Sequence, residues 1–258
     1  IKTGEYAMPA GISVADIMQK LISGDIIMHK ITIPEGVTVF QAAQLIARND
    51  VLVGPLPDPL PEEGSLLPDT YLIERGLARV DFLERMQKAQ ADLISSAWPA
   101  RQSNLPIANP QEAVILASIV EKETGLAQER ELIAGVFTER LRSSMRLQSD
   151  PTIIYGISKG EPLLDRNGNR RTLYRSEIDR VTDWNTYQID GLPKTPICNP
   201  GRDAILAVLN PPETDYIYFV ADGSGGHVFA RTLREHNRNV ADYRRYERAE
   251  IARERAEP

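Results

Sequence analysis

One cysteine, Cys198, occurs in 258 residues, so no internal disulfide can hold this chain together. Histidine is nearly as scarce. His29, His227 and His236 show no metal-ligand spacing, and neither a metal nor any other cofactor is expected. Aromatic residues make up only 6% of the chain, and no basic block is interleaved with them. Together with a formal net charge of −6, this argues against a nucleic-acid partner. No apolar run approaches the roughly 18 to 20 residues of a membrane span, and no signal peptide is present. An initiating methionine is missing too: the chain begins at Ile1, inside a strand-like stretch, and reads as a fragment of a longer protein.

What the chain does have is ample apolar material for one large domain, or for one of about 200 residues beside a small one. The first 50 residues form a compact set: an extended Lys2 to Met8, a helix from Val14 to Ser23 between Ser13 and Gly24, a strand from Ile26 to Ile33, and a helix from Val39 to Asn49 capped by Thr38. Pro55, Pro57, Pro59 and Pro61 then break the pattern, which predicts a linker or surface loop. Residues 1–53, 54–62 and 63–258 are therefore expected to be a small binding module, a proline-rich linker and a larger helix-rich α+β domain. In the larger part the pattern predicts a strand ending near Ile73 and helices over Val80 to Ser96, Asn109 to Gly125, Ala127 to Ser143 and Asp150 to Ile157. A hairpin around Asp222 to Gly226 and a charged terminal helix capped by Thr232 and Glu235 complete the chain.

The helix from Asn109 contains an uninterrupted apolar run, Ala113 to Val120, and Glu121 stands at its end. An apolar surround and the C-terminal end of the helix dipole both disfavour a negative charge there, with Lys122 opposing. A carboxyl with a raised pKa is suited to general-acid chemistry, and Glu121 is the candidate acid. Downstream, amides, hydroxyls and aromatic faces gather in Leu147 to Gly156, Trp184 to Tyr187 and Ile197 to Gly201, as a sugar-binding cleft requires. Taken singly, Asp150 reads as a plain N-cap, Asn199-Pro200-Gly201 as a turn and Tyr187 as a core aromatic. The final helix reads as a solvated face.

Glu63 to Tyr71, Ala117 to Thr124, Leu147 to Thr152, Asn185 to Tyr187, Asn199 to Gly201 and Tyr218 to Gly223 occur in the order found in the YceG-like endolytic murein transglycosylases, and over nearly its whole length the chain resembles that family. The resemblance implies a LysM-like module ahead of a catalytic region, and an N-terminal helix that anchors the protein in the cytoplasmic membrane facing the cell wall. It implies peptidoglycan glycan strands as substrate, peptidoglycan synthases as possible partners, and Glu121 as the essential glutamate. Two departures stand out. Asp183-Trp184 replaces the usual Pro-Tyr, keeping an aromatic face for a sugar ring, and Lys194-Thr195 replaces the usual Pro-Gly.

Lytic transglycosylation consumes no water, because the muramic C6 hydroxyl attacks its own anomeric carbon; one carboxyl can act as acid and then as base. A hydrolase needs two carboxylates across one bond. Glu123, two residues along the helix, points nearly opposite to Glu121 and cannot be the second, whereas Asp69 or Asp150 can be brought near by folding. Gln148, Asp150, Asn185, Tyr187 and Asn199 are the candidate substrate-binding residues. The competing readings are a hydrolytic muramidase and a non-catalytic wall-binding scaffold.

Overall fold

The computed structural model describes residues 3–254. Lys2, the start of the expected extended stretch, lies outside them. Thr3 to Met8 is irregular, and the bond from Ile27 N–H to the Glu5 carbonyl at 2.7 Å ties it to the chain just ahead of the first strand. The first helix, α1 (Val14–Ser23), starts where Ser13 accepts the Asp16 N–H and ends at Gly24, whose φ of 68° suits a residue without a Cβ. β1 (Met28–Thr32) comes next, then α2 (Val39–Ala47), whose first turn is closed by a reciprocal capping box between Thr38 and Gln41.

The proline-rich segment does not separate two cores. β1 pairs antiparallel with β2 (Thr70–Glu74), Met28 opposite Glu74 and Thr32 opposite Thr70, so one sheet takes its strands from both sides of residues 54–62. Beneath it, Ile31, Ile33, Val39 and Ile46 close on Leu66, Tyr71, Ile73 and Phe82. Val51 and Leu52 are buried in this core, and Leu56 and Leu60 pack against it. The boundary expected at 54–62 thus runs through a shared core, and the prolines shape a covering loop instead of a tether. The physical reason is that β1 alone would leave its ladder unpaired and the apolar face of α2 uncovered.

α3 (Arg79–Ala97) joins this core to a second one, burying Phe82, Leu83 and Met86 in the first and Leu93 in the other. The second core is built on α4 (Pro110–Glu123), which packs against α5 (Ala127–Arg142) and which the Asn109 side chain caps by accepting the Glu112 N–H at 3.0 Å. Glu112 reaches back past the cap to Ala108 N–H at 2.7 Å. Every residue from Ala113 to Val120 is buried, and each large side chain among them contributes about 1.5–3 kcal/mol. The helix stops because Thr124 turns extended, at φ −142°, one residue before Gly125.

α6 (Asp150–Ser158) has Ser149 as N-cap and Asp150 inside its first turn, and a four-residue α7 (Arg175–Ile178) lies further on. α8 (Arg202–Leu209), which the sequence reading passed over after its turn at Asn199 to Gly201, fills the space against α4 and α5. The hairpin pairs β3 (Tyr218–Ala221) with β4 (His227–Ala230), and α9 (Leu233–Glu254) lies along it, with Tyr218 and His236 stacked at 5.1 Å. This is a helix-rich α+β fold with two small antiparallel sheets among the described residues. No described helix is long and apolar enough to cross a membrane.

Candidate active site

Glu121 and Glu123 occupy the last turn of α4 and face different surroundings. The Glu121 side chain is 6% exposed; Oε2 accepts the Gly201 N–H at 2.9 Å, and Arg130 lies 3.9 Å from Oε1. Arg130 is shared with Glu35 at 3.7 Å and Asp203 at 3.6 Å. Burial raises the Glu121 carboxyl above the usual range and Glu35 adds to the rise, while the Gly201 N–H, Arg130 and Lys122 oppose it. The turn at Pro34 to Val37 covers this cluster: Gly36 N–H reaches the Asn199 carbonyl at 3.0 Å, and Lys122 Nζ reaches the Gly36 carbonyl at 3.2 Å. The Glu35 carboxylate lies where a Cβ on Gly201 would be, so a larger residue there would push the Glu35 side chain aside. Glu121 is enclosed by bonds that hold the turn to the helix, and it lines neither of the two large cavities that flank α6.

Glu123 opens onto one of these, a cavity of about 610 Å³ between α6 and α9. Its Oε1 accepts a short hydrogen bond from Ser149 Oγ. Burial pushes its carboxyl up to about 7; Asp150 adds to the rise, and the Ser149 hydroxyl, His227 and Arg140 oppose it. Gln148, Asp150 and Tyr187 line the same cavity, and the Tyr187 hydroxyl donates to Asp150 Oδ1 at 2.7 Å. Gln148 holds a left-handed conformation, φ 50°, that keeps it exposed just ahead of α6. Three of the five expected substrate-binding residues are thus gathered beside Glu123. Asp150 also lines the second cavity, of about 550 Å³, together with Gln41, Lys122 and Tyr155.

The remaining two do structural work. Asn185 is fully buried; its amide donates to the carbonyls of Ile178 at 3.0 Å and Arg180 at 2.6 Å, and its Oδ1 accepts the Tyr187 N–H at 3.0 Å. Asn199 is equally buried, with Oδ1 taking the Leu66 N–H at 3.1 Å and Nδ2 donating to the Val37 carbonyl at 3.0 Å. Both side chains are buried and bonded to backbone groups inside the fold, and neither lines the two cavities. Asp69 caps Thr70 N–H at 2.6 Å on an exposed edge and is not among the residues lining either cavity.

The two departures from the family pattern turn out to be partners. Lys194 Nζ pairs with Asp183 at 3.0 Å, and Trp184 Nε1 donates to Thr195 Oγ1 at 2.8 Å. Lys159 Nζ sits 3.4 Å from the centroid of the Trp184 ring, so one face of that ring already carries a cation.

Sequence reading missed the far wall. His227, Tyr218, His236 and Arg140 line the Glu123 cavity opposite Asp150, and Glu129 holds His227 through Nδ1 at 2.7 Å and its backbone N–H at 2.8 Å. One signal was present: Arg140 recurs at helical spacing on the otherwise apolar face of α5, which places a charge inside and calls for an opposite one. It is buried, held by the carbonyls of Ile217 at 2.7 Å and Leu147 at 2.6 Å. Another was Glu-Lys-Glu itself, because two residues of helix turn one carboxylate away from the other.

The chain is similar to known proteins over most of its length. An endolytic murein transglycosylase of Bacillus subtilis (strain 168) is 31% identical over 276 residues, covering 94% of this chain and 73% of that protein. Another, from Streptococcus pneumoniae serotype 2 (strain D39 / NCTC 7466), is 28% identical over 286 residues, covering 94% of this chain and 51% of that protein; the chain spans about half of its length. The crystal structure of a YceG-like protein from Listeria monocytogenes matches with a TM-score of 0.61 at 27% identity, over 87% of this chain and 80% of that one. The sequence profile of the YceG-like family matches residues 1–242, and over that span the chain belongs to the YceG-like family.

Proposed function

We propose that the protein is an endolytic murein transglycosylase, a lyase that cleaves the MurNAc to GlcNAc bond within peptidoglycan strands, with Glu123 in place of Glu121 as its acid. The observation that carries this reading is a carboxyl lifted to about 7 in the wall of a large polar cavity, held by one serine hydroxyl and faced by Gln148, Asp150 and Tyr187. The Bacillus and Streptococcus relatives are endolytic murein transglycosylases, which supplies the substrate class.

Glu123 protonates the glycosidic oxygen, and the C1–O bond breaks with its electron pair staying on that oxygen. The muramic C6 oxygen then attacks C1, and its proton passes to the Glu123 carboxylate, which restores the acid without water. Tyr187 and Gln148 are placed to meet sugar hydroxyl and acetamido groups, with Asp150 fixing the tyrosine. Because Asp150 lines both cavities, a strand lying across it has room on either side of the acid, as internal cleavage requires. The unit formed by β1, α2 and β2 contributes Gln41 to the second cavity and is the part proposed to hold glycan in a LysM-like manner. Anchoring at the cytoplasmic membrane beside peptidoglycan synthases belongs to the same reading.

A specific observation favours a second reading. The Asp150 charge acts on Glu123, so the cavity holds a second carboxylate, and hydrolysis by a Glu–Asp pair is the alternative. Mass spectrometry of the muropeptides released from purified peptidoglycan decides between them. Anhydro-muramic ends are expected; reducing muramic ends would establish the muramidase, and intact glycan would leave a binding scaffold.

A further inference from the structure

The α9 wall of the Glu123 cavity has a chemistry that the acid does not use. Leu233, His236, Asn237, Val240 and Arg244 fall on one face of α9 and line the cavity opposite Gln148 and Asp150. Beneath them lies Arg140, buried and bonded through Nε and Nη1 to two carbonyls. The two carbonyls and the Tyr218 ring, 5.6 Å from the guanidinium, receive its hydrogens and face without cancelling its formal charge. Across the cavity, Glu123 is the carboxylate whose field reaches Arg140. When Glu123 carries its proton, as the reaction requires at the start, that compensation is withdrawn. His236 Nδ1 is buried without a hydrogen-bond partner, although its ring is stacked on Tyr218. Burial first, and Arg140 second, hold the His236 imidazole below its ordinary range, so near neutrality it is an uncharged ring with an unused nitrogen. Arg244 adds a second guanidinium one turn beyond Val240, on the same wall.

An uncancelled buried cation, a surface guanidinium and an unused ring nitrogen on one wall form a place for an oxyanion. We infer that Arg140, His236 and Arg244 make an anion subsite that takes a carboxylate of the muramyl residue. This rests on the murein transglycosylase reading. The muramyl residue offers that chemistry from two sources: the carboxylates of its peptide stem, or the lactyl carboxylate once the stem has been removed. With the acid on the α4 side and the cations on the α9 side, a carboxylate-bearing ring is oriented across the cavity, whereas a neutral GlcNAc ring has nothing to place there. The subsite thus decides which of the two alternating sugars lies on which side of the acid.

The test is calorimetric binding with the full chain carrying Glu123→Gln, so that ligands persist, alone and combined with Arg244→Gln or His236→Phe. Four tetrasaccharide probes are compared: one with peptide stems, one with stems removed to leave the lactyl carboxylate, its methyl ester, and a GlcNAc tetramer. Carboxylate-bearing probes are expected to bind about tenfold or more tighter than the ester and the GlcNAc tetramer. Arg244→Gln should collapse that ratio, and raising salt should shrink it. Tighter binding of the stem-bearing probe than of the lactyl probe assigns the stem as the source; tighter binding of the lactyl probe, whose carboxylate is free only without the stem, assigns the lactyl group; and equal binding shows that the subsite takes either carboxylate. Near-ultraviolet circular dichroism shows that each variant is folded, and His236→Phe keeps the stack on Tyr218 while removing the nitrogen. Equal affinity for free and esterified carboxylates in folded protein overturns the subsite. Failure of the wild type to cleave any glycan, with the carboxylate preference intact, overturns the catalytic reading and leaves the subsite standing.

Discussion

With its carboxyl lifted to about 7, Glu123 is half protonated near neutrality, so glutamine in its place keeps the shape and removes the transferable proton. Glu123→Gln is expected to lower the single-turnover cleavage rate by about 10²–10⁴. Glu121→Gln keeps an acceptor for the Gly201 N–H and should stay within about tenfold of wild type, since general-acid catalysis would not be lost. Reversal of these two outcomes in a muropeptide assay would return the acid role to Glu121. The wild-type rate should fall about tenfold per pH unit above the Glu123 pKa, because only the protonated acid starts the reaction. Stability has the same sign. The folded pKa lies above the unfolded one, so on this group's account stability is greatest below about 4.5, declines as pH rises toward 7, and is flat beyond. Glu123→Gln escapes that loss, of at most about 3 kcal/mol, and should melt higher than wild type at pH 8 but not at pH 4.

Asn185 and Asn199 test the division between binding and folding. Asn199→Ala leaves the Leu66 N–H without a partner, at a cost of about 1–3 kcal/mol, while the Val37 carbonyl keeps its bond from the backbone N–H of residue 199. Urea unfolding is expected to report that loss while the affinity for short glycan changes little. A large drop in affinity at unchanged stability would restore Asn199 as a ligand-binding residue.

Among the elements, α2 lines the second cavity through Gln41 and α9 lines the Glu123 cavity, and no residue of either was a candidate in the sequence. Removing residues 1–53 takes away β1 and α2 and uncovers Tyr71, Ile73, Phe82 and Met86. The shortened chain is expected to bind a hydrophobic dye and lose dispersed methyl resonances, with glycan binding and turnover lost together. A well-folded remainder that still turns over short glycan would make the first 53 residues an independent module after all. α9 reads as a solvated helix because Arg, Glu and Asp dominate it. Its inner face is visible only once the hairpin lies beneath it, where Tyr218 meets His236 and the Tyr246 ring covers Gly223. Its caps, by contrast, are local, and Thr232 and Glu235 stand where their spacing put them.

At the scale of the whole molecule, two hydrophobic clusters are tied by α3 and by the bonds between the Pro34 to Val37 turn and Asn199 to Gly201. Calorimetry should therefore show one cooperative unfolding transition, which Asn199→Ala lowers as a whole; two resolved transitions in the wild type would mean that the ties are weak. What the sequence determined by itself is what depends on neighbours along the chain. The capped start of α4 at Asn109, the burial of Ala113 to Val120, the ends of α1 and the hairpin turn all arise from spacing and caps. The ordered motifs also carried the family. Only tertiary structure decided which of two glutamates faces a cavity, because helix spacing says that they diverge but not which side remains open. It also decided that Asn185 and Asn199 spend their amides on the backbone, that β1 pairs across the prolines, and that a charged helix closes the site. Each of these depends on groups far apart in sequence, and their meeting is fixed by how the apolar faces pack, not by local pattern.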